Sequence, residues 1–546
     1  MTKNSPIFLS NLFSLGVGCI GLFGLLGCGS PPSPEAKPVQ ESVQSLAAEP
    51  PVELRGFWVD AFNPGFKTPE QVSKLVADVK KANGNTIIAQ VRRRADAYYT
   101  SDREPRSNDP DLAPDFDALQ DLIDKASAEG IEVHAWLATL PAYKEGYTTT
   151  DPSHIWQRHG PEATGRDNWA MLDRPGEAPG YLDPGHPDAV DYTISIYLDV
   201  LQRYDVDGLH LDYIRYDGTD LGYNPTALAR FNRLTGRTGI PAADDPDWMQ
   251  WRREQVSNLV RKLYIKSLAI KPEVKITAAV IAWGAGPVSA KGWEQTRTYR
   301  EVFQDWRGWL EEGILDIAMP MVYHIEDKEE RRQWYDQWIE FAKNNQYNRY
   351  VTIGVGGYLN YIENSLNQIR RAQKPSATGN TAKGQQIYSY ASSNVYSNAD
   401  LKRKEKSRLD LPRQPWQYAP QSNDWFYRSL SEPSSYVDPA TGKTYETQPV
   451  WEAPARPPDL PWKSQPTKGA IMGTVELCPE VCDSVGLQLE NLSDTSQTYI
   501  IKTDGSGWFG AVSLEPGIYK ITLDLRDRPS KQIRIKPGQV AEVVFE

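Results

Sequence analysis

From Glu53 onward the chain alternates between two textures. Short β-rich runs place side chains on two faces in turn, and between them lie stretches whose apolar residues recur every three to four positions. "LRGFWVDAF" reads as a strand and "TPEQVSKLVADVKKANG" as a helix, with Thr68 as N-cap and Pro69 in its first turn. The alternation continues through "TIIAQVRRR", "IEVHAWLAT", "LHLDYIRY", "KITAAVIAWG", "DIAMPMVYH", "VTIGVGGYL" and "GQQIYSYAS". Eight strands separated by helices over residues 53–396 predict an α/β fold, a (β/α)8 TIM barrel. A doubly wound open sheet is the structural alternative, but no glycine-rich phosphate loop follows the first strand.

Beyond the barrel the texture changes. Residues 397–467 are polar and rich in Pro and Trp, and read as an irregular extension and linker. Over residues 468–546 short strands are punctuated by "DGSG", "EPG" and "KPG", which predicts a C-terminal all-β sandwich. Its stretch "TDGSGWFGAVSLEPGIYKITL" resembles carboxypeptidase-regulatory-like, transthyretin-like modules. It carries no catalytic constellation, so its expected role is binding or spacing, with an envelope protein as partner. At the other end, an apolar run from Ile7 to Leu26 stops at "LLGCGS". Residues 1–28 thus resemble a lipoprotein signal peptide and lipobox, with Cys28 as the acylated residue; a membrane-spanning anchor is the alternative. Either way the expectation is an exported protein tethered to a bacterial membrane, on its periplasmic or outer-membrane face. Residues 29–52, rich in Pro, Ser and Glu, read as a disordered tether.

Composition narrows the chemistry. A net charge of -11 disfavours nucleic acid, whose phosphates require basic patches. The 17 Trp and 28 Tyr suit stacking against flat sugar rings. Of four cysteines, Cys478 and Cys482 in "CPEVC" remain for a local disulfide once Cys19 and Cys28 are assigned to the leader. Six histidines without an H-x-H or HExxH spacing predict no metal, and no cofactor motif is present. No G-x-S-x-G elbow supports a serine nucleophile. Carboxylate chemistry is left.

The strand phase says where. In "LHLDYIRY", His210, Asp212 and Ile214 share the face that points to the barrel axis. Asp212 falls near the C-terminal end, where active sites of this fold form. Gln90 and Arg92 align in the second strand, His134 and Trp136 in the third, and Met319, Met321 and Tyr323 in the sixth. In the first, either Trp58 and Asp60 or Phe57 and Val59 face inward. Glycoside hydrolysis requires two carboxyl groups astride the scissile bond. Asp212 fits the charged member; Glu294 and Glu326, both beyond strand C-termini, are the candidates for its partner. Asp305 opens a helix and suits an N-cap, and Asp316 precedes its strand, on the stability face. Trp58, Trp136 and Tyr323 are expected to stack sugar rings.

Five segments, "ELRGFWVDAF", "QVRRRADAYYTS", "YLDPGHPDAVDY", "DVDGLHLDYIRY" and "GILDIAMPMVYH", resemble the glycosyl-hydrolase-like 10 family in the same order. The resemblance covers residues 53–395 and implies a TIM barrel distantly akin to the α-amylase clan, in a family that includes a glycosidase cutting peptide-free peptidoglycan. It implies a nucleophile at Asp212, with Gly208 matching a G-x-R-x-D context and His210 standing where that context has arginine. "TAAVIAWG" holds no fifth-strand acid. Arg92, Asp96 and Asp183 match family positions and are expected to bind substrate, as are Asp60, His134 and His210. The expected function is a glycoside hydrolase of the envelope acting on a polysaccharide. The alternative is a glycan-binding lipoprotein without catalysis.

Overall fold

Phe57 and Trp58 settle which way the first strand faces. In a computed structural model that describes residues 49–400, 416–478 and 482–546, β1 (Leu54–Val59) turns Phe57 outward. It meets Tyr427 and Trp451 edge-on, with ring centroids 5.7 and 5.9 Å apart. Trp58 points inward, to an apolar cluster with Leu54, Ile88, Trp136 and Met319. Next in chain order come β2 (Thr86–Arg92), β3 (Glu132–Ala138), β4 (Gly208–Asp212), β5 (Lys275–Ile281) and β6 (Ile317–Val322). The short β7 (Tyr350–Val351) and β8 (Ile353–Gly356) both pair with β6 and share the seventh position. β9 (Gly384–Tyr388) then pairs with β8 and β1, closing a parallel barrel.

The helices between the barrel strands form where the sequence predicts, one of them longer than expected, and others form where none is predicted, among them Pro225–Thr235 after β4 and Ser422–Ser431 in the segment read as irregular. Pro69–Lys81 buries Val72, Leu75, Val76 and Val79 on one face. Its first turn is capped by Thr68, whose hydroxyl accepts from the Gln71 N–H at 3.3 Å. Between β4 and β5 a 25-residue helix runs from Pro246 to Ile270. Periodicity predicts only its second half, from Ser257. Its first half buries Trp248, Trp251, Arg252, Arg253 and Gln255 among several neighbours, so no single apolar stripe marks it.

The extension closes the barrel's N-terminal end. Besides a hairpin, β10 (Ser434–Val437) with β11 (Thr444–Thr447), it carries the short helix Pro461–Ser464. Leu460 and Trp462 join the interior cluster. The Trp462 indole donates to Asp316 at 2.7 Å, and Lys463 pairs with the same carboxylate at 2.6 Å.

The C-terminal strands form two sheets. One holds β12 (Gly469–Val475), β15 (Trp508–Leu514) and β18 (Val540–Phe545). The other holds β13 (Gly486–Asn491), β14 (Thr498–Lys502), β16 (Gly517–Leu523) and β17 (Ser530–Ile535). Ile471, Leu487, Leu489, Phe509 and Ile521 fill the core between them, and Cys478 and Cys482 are disulfide-bonded. Asp483 accepts from Arg230 and Arg233 at 2.8 and 2.7 Å, and Asp504 from Lys262 at 3.0 Å, joining this region to the barrel's outer helices. The apolar leader, Cys28 and most of the expected tether lie outside the described residues. Among the described residues, no helix is long and apolar enough to cross a membrane.

Candidate active site

β4 ends on the residue that delivers its carboxylate. Asp212 is 5% exposed and pairs in register with Ala138 at the end of β3. Tyr213 then turns into the left-handed region at φ 50°, an uncommon conformation for a non-glycine residue. The turn aims the Tyr213 N–H back at Asp212 Oδ1, 2.7 Å away, and swings Arg215 to the same oxygen at 3.4 Å. The Arg215 guanidinium lies 4.1 Å over the Tyr213 ring. A strand running on to Tyr216, as the sequence predicts, puts Arg215 on the outer face. The left-handed turn breaks that alternation and brings it to the mouth.

Around Asp212 is a cavity of about 170 Å³ lined by Trp58, Gln90, Trp136, Tyr213, Tyr323 and Tyr388, with Phe62 and Arg215 at its edge. Tyr323 and Tyr388 are stacked, with centroids 5.5 Å apart. Burial raises the Asp212 carboxyl, while Arg215, the Tyr213 N–H and the Trp136 indole pull the other way and favour the anion. The Trp136 indole N–H makes no hydrogen bond elsewhere. Burial also holds the Tyr323 and Tyr388 phenols well above their ordinary value, and both feel the charges of Asp60 and Asp212. Asp60 lies just past β1, bonded through Oδ1 to the Phe62 N–H and Asn63 at 3.0 and 2.8 Å. Its Oδ2 is buried and without a hydrogen bond. It lines an adjoining groove of about 580 Å³ that shares the Tyr388 wall with the mouth cavity.

Of the residues expected from sequence, Asp212, Trp58, Trp136 and Tyr323 meet in this cavity, and Asp60 borders it. The others do not line it. Glu326 is held by Arg371 in a two-pronged pair, 2.6 and 2.7 Å, with Gln368 at 3.2 Å, so it is not a free acid. Glu294 is exposed at the end of the short helix Ala290–Trp293 and does not line the cavity. Arg92 is fully engaged by Glu104, at 2.8–3.0 Å, and by the carbonyls of Ala138 and Thr139; it fixes the end of β3 rather than meeting solvent. Asp96 organises a turn by accepting from the Arg94 N–H at 2.7 Å and Ser107 at 2.6 Å. Asp183 is buried beside the Gly185 N–H at 2.7 Å, and burial pushes its carboxyl up to about 6.

The two histidines are structural. His210 Nε2 accepts from the Trp58 indole at 3.0 Å, because an indole can only donate. The ring proton is therefore on Nδ1, donated to Thr277 Oγ1 at 2.8 Å. Burial, with His134 nearby, holds this imidazole well below its ordinary value, so it is neutral. The bond fixes Trp58 as the floor of the cavity. His134 lies a layer below, at 3.5 Å from Glu132 and under Gly208.

Sequence reasoning missed Arg215, Gln90, Phe62, Tyr213 and Tyr388 as lining residues. Gln90 was in phase with the inward set; Phe62 and Tyr388 lie where strands give way to loops and periodicity stops. Among the described residues no cluster of His, Cys, Asp and Glu could hold a metal ion.

The sequence model described as Glycosyl hydrolase-like 10 matches residues 53–372. "Glycosyl hydrolase YngK" of Bacillus subtilis (strain 168) is 26% identical over 335 residues, 58% of this chain and 62% of its own. "Glycosyl hydrolase DigH" of Escherichia coli (strain K12) is 29% identical over 297 residues, 49% of this chain and 62% of its own. The chain thus spans about three fifths of the length of these curated relatives. Among solved structures, the PgaB (BpsB) glycoside hydrolase domain from Bordetella bronchiseptica aligns at 17% identity and TM-score 0.42, over 65% of this chain and 98% of that one.

Proposed function

The chain belongs to the glycosyl hydrolase-like 10 family, and from that premise we propose that it hydrolyses glycosidic bonds of a polysaccharide at the mouth of the barrel. The observation that carries this reading is Asp212, a carboxylate at the C-terminal end of β4 that opens into an aromatic cavity. Sugar rings stack on such walls. The cavity is smaller than the roughly 300–1,000 Å³ of drug-sized sites, which leaves room for about one ring. Asp212 carries the negative charge opposite the oxocarbenium-like transition state. Asp60, with a buried oxygen free of hydrogen bonds, supplies the second carboxyl from the other side of Tyr388.

The substrate we propose is a cell-envelope glycan, peptide-free peptidoglycan strands, met by an exported protein acylated at Cys28. The lipobox-like "LLGCGS" and the family resemblance support this setting. The decisive measurement is release of reducing ends from such strands by the full chain. Asp212→Asn is expected to lower it by at least about 10²–10⁴-fold, the usual range for removing a catalytic carboxyl group. Asp60→Asn is expected to do the same without loss of folding. Activity surviving in Asp212→Asn would sink the assignment.

One observation favours a second reading, a glycan-binding lipoprotein without catalysis. Among the described residues, Asp212 is the only carboxylate that lines the mouth cavity itself. If wild type and Asp212→Asn both bind the strands and neither ever releases reducing ends, this second reading stands instead.

A further inference from the structure

The rim of the mouth carries a cation that, among the described residues, has no carboxylate in salt-bridge contact; the Asp96 charge reaches it only at longer range. Among the described residues Arg94 makes no ion pair, and its Nη1 is buried without a hydrogen bond. Its guanidinium sits between two rings, 5.6 Å from the Phe62 centroid and 5.4 Å from that of Tyr147. Those rings are 55% and 56% exposed, among the few exposed aromatic side chains of the described residues. Lys144 adds a second cation, 4.8 Å over Tyr147. The other arginines here are committed: Arg93 to Asp96 and Asp109, and Arg215 to Asp212. Phe62 itself lines the mouth cavity, and the charge of Arg94 reaches Tyr213 on the cavity wall.

The chain has a net charge of -11, yet among the described residues no carboxylate forms an ion pair with this guanidinium, and Asp96, which acts on it from farther off, is bonded to the Arg94 N–H and to Ser107. Holding a planar cation near two rings removes much of its freedom before any ligand arrives and leaves the N–H groups on Nε and Nη2, which the burial of Nη1 does not include, to meet one. Such a fork matches a carboxylate. A neutral sugar hydroxyl gains less from it.

We propose that Arg94, clamped by Phe62 and Tyr147, reads a carboxylate carried by the glycan at the mouth, so that the protein selects an acidic polysaccharide. The inference rests on the glycosidase reading and deepens it. In peptidoglycan the lactyl carboxyl group is a free anion only where no peptide is attached; a peptide converts it to a neutral amide. Arg94 would therefore distinguish bare strands from substituted ones by charge. A uronic acid polymer offers the same chemistry from another source.

The test compares binding and cleavage by the full chain of three glycans: peptide-free strands, the same strands with carboxyl groups reduced to alcohols, and a polyuronate. Wild type is expected to prefer carboxylate strands to reduced ones by about tenfold, the range for one charge-assisted hydrogen bond. Arg94→Gln is expected to lose that preference while handling reduced strands as wild type does, with an unchanged melting temperature. A preference for the polyuronate that also depends on Arg94 supports the carboxylate fork and assigns its source to uronic acids. Equal treatment of native and reduced strands by wild type overturns the inference and leaves the glycosidase standing. An Arg94→Gln loss of equal size on both strands also overturns it, because the side chain would then act without regard to charge. Failure of wild type to bind or cut any of the three glycans removes the underlying reading and the inference with it.

Discussion

Asp212 is held between opposing influences, and their balance sets a measurable limit. Burial raises its carboxyl; Arg215, the Tyr213 N–H and Trp136 lower it. Removing Arg215 deletes a cation 3.4 Å away, so the carboxyl rises further. Arg215→Gln is therefore expected to shift the acid limb of the activity profile to higher pH, read from kcat/KM between pH 4 and 8. An unshifted limb would mean that Asp212 is not the titrating group. Asp212 was legible because strand alternation places it inward near a C-terminal end. Arg215 was not, because one left-handed residue, Tyr213, undoes the alternation that the sequence implies. Glu326 was misread for a different reason. Its partner Arg371 belongs to the helix Ile362–Gln373, and no local pattern announces a pairing across 45 residues.

At the level of elements, the strands and most helices could be read directly, since a barrel strand packed on helices outside and side chains inside must alternate. What could not be read is the layering within the barrel. Gly208 lies in register with His134, and a Cβ at Gly208 would come within 2.6 Å of the imidazole carbons. The missing side chain leaves room for the His134 ring near His210, which in turn holds the Trp58 indole. Gly208→Ala is expected to destabilise by roughly 1–3 kcal/mol through overpacking, measured by urea unfolding. A neutral effect would show that the layers below the site have room to shift. From sequence alone His210 is an inward histidine like any catalytic one. Only its two partners, Trp58 and Thr277, reveal that its lone pair and its proton are both already used.

For the molecule as a whole, buried histidines set the acid response. Burial lowers His210 well below its ordinary value, and His186 and His324 to about 4. Unfolded, each takes up a proton near pH 6.5, so each stabilises the fold above that pH and loses its contribution as pH falls toward the folded value. Asp183, raised to about 6, acts in reverse: the fold holds its proton first, so it gains stability as pH falls from 6 toward 3.8. Asp207 and Asp212, also raised by burial, act as Asp183 does, while carboxyl groups held low, such as Asp117, Glu132 and Asp188, act in the same sense as the histidines and lose their contribution as pH falls. The melting temperature is expected to drop between pH 7 and pH 4.5, at up to about 1.4 kcal/mol per pH unit for each uncompensated proton. A flat profile would contradict neutral burial of these rings. The sheets and the barrel are coupled through Asp483, which two arginines share. Asp483→Ala leaves Arg230 buried without its carboxylate, a change worth roughly 3–5 kcal/mol. It is expected to split one calorimetric unfolding transition into two.

The short helix after Leu460 has a practical corollary for anyone trimming this chain. Because Trp462 and Lys463 stopper the underside, a fragment ending where the last barrel strand ends would let water rise from below into the layer that supports Trp58. Its catalytic face could be untouched and still lose shape. The smallest portion with a dry foundation runs to Ser464, so the apparent tail is part of the vessel.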